Sequence, residues 1–296
     1  MTLQHPGLAR SRPLKWAAVI SDVDGTLVTD DKTLTARTKA AAAELRSNGL
    51  MFSIVSSRPP RGMLPVMKSL GIDAPVAGFN GAVVTGADLA VMSAHLLPPA
   101  VARRTVALLD ARGVDVWVFS GEDWLLRRPD RPYVGLEERT VAFGPTVVAD
   151  FGAALDAAAK IVGVSADFDG LARCERELHA ALGQQANVVR SQPYYLDVTH
   201  PLANKGDAAE TLATLMHVPL AKIVVIGDGH NDVAMFARGG LSIAMGNASP
   251  DVKKAANAVV ASNGEDGFAQ AIEQFVLEDA QSPARADVAE AGGRAW

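Results

Sequence analysis

Short apolar runs alternate with helix-patterned stretches along most of this chain, and each run gives way to polar or glycine-rich residues where it ends. AAVISDV is followed by TARTKAAAAELRSNG, LMFSIV by PRGMLPVMKSLG, and KIVVIGD by NDVAMFARGG and then LSIAM. This alternation is the signature of a parallel sheet with crossover helices. Gly49, Gly71 and Gly239 follow the helical stretches, as expected of helix C-termini. The fold class is therefore α/β, with a doubly wound, Rossmann-like parallel-sheet core. In an open sheet of this kind the carboxyl ends of the strands face one crevice, where ligands bind. SDVDG (21–25), SSR (56–58), FNGA (79–82), GDGHND (227–232) and MGNA (245–248) all follow candidate strands, so they are expected to meet in space.

The middle of the chain breaks the pattern. Residues 97–192 hold two helical stretches, AVARRTVALLDARG and FDGLARCERELHAALG, with strand-like VDVWVFS and AKIVGVS between them. They are expected to form an α+β cap domain inserted into the core, bounded by Pro98-Pro99 and by Gln192-Pro193. The core then comprises 15–96 and 193–278, and residues 1–14 and 279–296, which lack apolar periodicity, are expected to be flexible tails. A chain of 296 residues, 49% hydrophobic, has material for two such domains. The net charge of -5 argues against nucleic acid as a partner. No stretch reaches the roughly 18 apolar residues of a membrane span, and the N-terminal residues lack the apolar region of a signal peptide. The lone Cys174 cannot form an intramolecular disulfide. The expectation is a cytoplasmic protein, monomer or homodimer, that binds a small molecule and neither nucleic acid nor membrane.

Two aspartates one residue apart at the end of an apolar strand need a reason, because burying like charges side by side is unfavourable. Asp22 and Asp24, at i and i+2 on extended backbone, can both face the crevice. Asp228 and Asp232 add two more carboxylates, and such a group asks for a hard dication such as Mg²⁺. Lys205 can neutralise part of the remaining charge. An EF-hand is excluded because its position 6 and 12 residues would be Leu27 and Thr33. No P-loop, dinucleotide fingerprint or nucleophile elbow occurs.

The order of these motifs resembles the haloacid dehalogenase-like (HAD) phosphatases, and within them the Cof-type branch with a type IIB cap. Asp22-Val23-Asp24-Gly25-Thr26 matches the first motif, Ser56 the second, Lys205 the third and Gly227 to Asp232 the fourth, with the branch marks NGA at 80–82 and AMGNA at 244–248. Ser57 stands where the branch usually has glycine. The resemblance implies a Mg²⁺-dependent phosphatase acting on a small-molecule phosphate ester, sugar phosphates above all. Asp22 would attack phosphorus, and Asp24 would protonate the leaving group, which requires Asp24 to hold a proton while Asp22 does not. The metal would be held by Asp22, the Asp24 carbonyl, Asp228 and Asp232, and the phosphoryl group by Ser56 and Lys205 with help from Asn80 and Asn231. Specificity would lie in the cap, with Trp117, Trp124, Arg127, Arg128, Tyr133, Tyr194 and Tyr195 as candidates. A phosphomutase and a non-catalytic sugar-phosphate binding module are the alternatives.

Overall fold

The computed structural model describes residues 15–277, and the tails expected at 1–14 and 279–296 lie outside the described residues. The first part of the core supplies β1 (Ala18–Ser21), α1 (Ala36–Ser47), β2 (Met51–Ile54), α2 (Pro60–Leu70), β3 (Val76–Gly78), β4 (Val83–Thr85) and β5 (Val91–Ala94). The insert supplies α3 (Pro99–Ala111), β6 (Asp115–Ser120), β7 (Asp123–Leu126), α4 (Val134–Val141), β8 (Thr146–Val147), β9 (Ala158–Val164), α5 (Phe168–Leu182), β10 (Asn187–Gln192) and β11 (Tyr195–Thr199). The second part of the core adds α6 (Lys205–Leu215), β12 (Ile223–Gly227), α7 (Val233–Phe236), β13 (Leu241–Ala244), α8 (Pro250–Ala255), β14 (Ala258–Val259) and α9 (Gly267–Ala271).

The core sheet runs β14-β13-β12-β1-β2, and every pairing in it is parallel. Both faces of β1 are covered, which explains its unbroken apolar sequence. Val19 packs on one side with Ala41 and Leu45 of α1, Met63 and Leu70 of α2 and Phe268 of α9. Ala18 and Ile20 pack on the other with Ala209 and Leu212 of α6, Phe236 of α7 and Val252 of α8. Successive strand residues thus feed opposite helix layers, as a doubly wound sheet requires. Past β2 a parallel bridge between Val55 and Ala77 brings in β3, which then forms an antiparallel meander with β4 and β5.

The cap is built on a mostly antiparallel sheet ordered β10-β11-β9-β6-β7-β8. One face packs on α3 and α5 through Leu109, Leu171 and Leu178. The other carries Trp117, Phe119, Trp124 and Val162, and meets α4 and, from the core, Phe79 and Val83. The expected end of the cap at residue 192 needs correction. Tyr195–Thr199 pairs with both β9 and β10, so the cap sheet extends to Thr199. Pro193 sits in the two-residue turn of the β10–β11 hairpin rather than between domains. No helix among the described residues is long and apolar enough to cross a membrane.

Candidate active site

Asp22 immediately follows β1, and its N–H donates to Ile226 O of β12 at 2.9 Å, so the adjacent strand tips are held in register. Lys205 opens α6, whose N-terminus is fixed by Asn204 accepting from the Asp207 N–H at 2.9 Å. From there the Lys205 ammonium, 1% exposed, donates to Asp22 Oδ1 at 2.7 Å and to Asp232 Oδ1 at 2.6 Å. Asp232 is also engaged through Oδ2, which accepts the N–H groups of Asp228 at 2.9 Å and Gly229 at 2.7 Å. Asp228 receives the Thr26 hydroxyl at 3.2 Å and the Asn247 amide at 3.1 Å. Gly25 makes this approach possible, since its φ is +79° and an added Cβ would lie 2.3 Å from Asp228 Oδ2.

Burial raises the pKa of Asp22 well above its ordinary value; Lys205 opposes the rise, and Asp232 and Asp228 add to it. Burial, reinforced by Asp232, pushes Asp228 up to about 6. For Lys205 burial favours the neutral amine, but Asp22 and Asp232 outweigh it and the pKa is raised. One ammonium thus faces three carboxylates whose oxygens lie within 4.8 Å of one another. An all-oxygen donor set with surplus negative charge fits a hard divalent cation.

Asp24 departs from expectation. Its side chain is not in that carboxylate group; Arg58, 8% exposed, grips it instead through Nε at 2.7 Å and a terminal nitrogen at 2.6 Å, and Lys32 adds a bond of 2.8 Å. Burial works against ionisation of Asp24, but the Arg58 fork and then Lys32 prevail and bring it down to about 2. Without metal, Arg58 and Lys32 thus hold Asp24 toward its ionised form, while burial and the neighbouring acids work against ionisation of Asp22. Arg58 had no role assigned from sequence, because nothing local ties it to an acid 34 residues earlier.

The remaining candidates also converge. Ser56 lies just past β2, and its Oγ accepts the Arg58 N–H at 3.1 Å. Asn80 N–H donates to Ser56 O at 2.8 Å, and its side-chain oxygen accepts from Asn231 at 3.0 Å. Ser57 does not take a positive φ, so the glycine usual at that place is not needed for this turn. Asn247 was read only as part of AMGNA; it donates to Gly25 O at 2.9 Å and accepts from the Asn263 N–H at 3.0 Å, which ties three loops together.

The family model of haloacid dehalogenase-like hydrolases matches residues 19–272. The chain belongs to the haloacid dehalogenase-like hydrolases. It is 28% identical to a phosphatase-named protein of Haemophilus influenzae over 88% of this chain and 98% of that one. It is 26% identical to the HMP-PP phosphatase of Escherichia fergusonii over 78% and 85% of the two chains. A haloacid dehalogenase-like hydrolase from Bacteroides thetaiotaomicron superposes with a TM-score of 0.81 at 27% identity, covering 87% of this chain and 98% of that one. A HAD subclass IIB sugar phosphatase shares the fold, with a TM-score of 0.77 at 22% identity over 88% and 98%. The fold shared with that subclass IIB neighbour includes the cap sheet as well as the core.

Within this HAD fold the expected cap candidates separate. Trp117 and Trp124 are buried in edge contact at 5.0 Å between ring centres and act as packing. Arg127 and Arg128 pair with Asp110 and Asp115. Tyr133, Tyr194 and Tyr195 do cluster, with Tyr133 and Tyr194 stacked at 4.2 Å.

Proposed function

We propose that this HAD hydrolase is a Mg²⁺-dependent phosphatase of small phosphorylated metabolites, sugar phosphates in particular, working in the cytoplasm through an aspartyl-phosphate on Asp22. The observation that carries the reading is the meeting of the Asp22 carboxylate, the Lys205 ammonium and the Asp228–Asp232 pair at neighbouring strand tips.

Asp22 attacks phosphorus, the ester oxygen departs with a proton from Asp24, and an acyl phosphate results. Water then attacks that phosphorus, gives its proton to Asp24 and releases inorganic phosphate with Asp22 restored. Lys205 and the Ser56 hydroxyl hold phosphoryl oxygens through both displacements. Asp22 and Asp228, with Asp232 behind them and the Asp24 carbonyl, would hold Mg²⁺. When bound, the cation neutralises the carboxylate surplus and the charge on the phosphoryl group. Asp24 as it stands, ionised by Arg58 and Lys32, suits the water step. For the first displacement it takes up a proton from solvent as those cations turn toward the incoming phosphate.

The test is phosphate release from a panel of metabolites with Mg²⁺ or with chelator, for the wild type and for Asp22→Asn. Release should require metal and fall by at least ~10³-fold in the variant. Undiminished release by Asp22→Asn rules out the covalent route.

A further inference from the structure

The core-facing side of the cap sheet is largely aromatic and aliphatic, and a polar island interrupts it toward β11. Lys160 of β9 and Asp197 of β11 are paired there at 2.7 Å, with side chains 12% and 10% exposed. Tyr195 stands two residues before Asp197 and so shares its face of the strand. Glu137 of α4 completes the group: burial raises its pKa, and the charges of Lys160, Asp197 and, across the crevice, Arg58 all reach it. Arg58 is the residue that grips Asp24. The charge of Arg58 links the island to the side of the crevice that Asp24 occupies.

Two of its polar atoms are buried without a hydrogen-bond partner, the Tyr195 hydroxyl and Asp197 Oδ1. Glu137 lies beside the Tyr195 hydroxyl but not in hydrogen-bonding geometry. A buried hydroxyl and a buried carboxylate oxygen left in this state are unfavourable, and a ligand that supplies the missing donor and acceptor relieves both. Nothing in the packing requires polar residues at these positions, since Trp117, Val162 and Val164 fill the same face around them.

We propose that Glu137, Lys160, Tyr195 and Asp197 form the subsite for the leaving group, and that it takes an uncharged, hydroxyl-bearing group while rejecting a second anionic one. The proposal rests on the phosphatase reading above. Asp197 uses the charge of Lys160, and Glu137 adds a second acidic group, so the island has no cation to spare for an anion. Alcohol groups can donate to Asp197 Oδ1 and to Glu137 and accept from the Tyr195 hydroxyl. A second phosphate or carboxylate can make none of the carboxylate contacts and would be desolvated against like charge.

Glucitol 6-phosphate and 6-phosphogluconate differ at the far end by a hydroxymethyl against a carboxylate, and p-nitrophenyl phosphate has neither polyol nor second charge. Initial rates of phosphate release from the three, with Mg²⁺ present, test the proposal in the wild type, Glu137→Gln and Asp197→Asn. The wild type should favour glucitol 6-phosphate over 6-phosphogluconate by at least about tenfold in kcat/KM. Each variant should narrow that ratio by about threefold or more and leave p-nitrophenyl phosphate within about twofold of wild type. Glu137 is partly exposed on α4, so Glu137→Gln carries the test if Asp197→Asn folds poorly. Equal wild-type rates for the two polyol esters, turnover of p-nitrophenyl phosphate in preference to both, or variants that slow all three esters alike would overturn the subsite. Failure of the wild type to release phosphate from any of them would instead overturn the phosphatase reading and the subsite with it.

Discussion

The strand tips of the core and the inner face of the cap both bury charged groups, but they treat them differently. At the tips each has its partner: Lys205 bridges Asp22 and Asp232, Asp232 takes two backbone N–H groups, and Asp24 is held by Arg58 and Lys32. On the cap face Lys160 pairs with Asp197, but the Tyr195 hydroxyl, Asp197 Oδ1 and the Trp124 indole N–H are left over. A hydrogen-bonded network of this kind preorganises Asp22 and Lys205, which suits chemistry that is the same for every ester. An incompletely paired one has room for a ligand to finish it, which suits recognition.

The change expected to bear hardest on this contrast is Lys205→Met. It leaves Asp22 and Asp232 without their shared cation, so thermal unfolding should show a loss of about 3–5 kcal/mol in the absence of metal. Phosphate release should drop by at least about 10²-fold. A variant that keeps wild-type stability would mean that the tips are not the closed network described.

Arg58→Gln should act more mildly. The folded pKa of Asp24, about 2, lies below its ordinary value of 3.8, so the stability it confers is present above pH ~4 and is lost as pH falls toward 2. The variant should therefore be less stable than wild type near neutrality, by about 2 kcal/mol, and the gap should close on acidification through that window. Denaturant midpoints at pH 7 and below pH 4 check this. A gap that is constant with pH would show that Arg58 acts through packing alone.

Much of the core was legible because its signals are local. An apolar run, a turn glycine and an acid at the strand end are adjacent in sequence, so Asp22, Ser56, Lys205, Asp228 and Asp232 could all be placed at strand tips or helix starts before any coordinates. Their convergence follows from the parallel order. What stayed hidden depends on contacts between distant segments. The Arg58–Asp24 fork spans 34 residues, and it lowers the pKa of Asp24 to about 2. In the cap, Glu137, Lys160 and Asp197 come from a helix and two strands with no common motif. Aromatic residues drew attention there instead, and Trp117 and Trp124 proved to be packing. Pro193 looked like a boundary because a proline punctuates chains in hairpin turns as readily as in linkers.

The account turns on Asp22 as the atom-donor to phosphorus, and a single-turnover acid quench with ³²P-labelled ester addresses it directly. Label should appear on the protein within the first turnover, map to the peptide containing Asp22, and be released by hydroxylamine as an acyl phosphate is. Turnover with no protein-bound label at any quench time, or label on a peptide lacking Asp22, would contradict it.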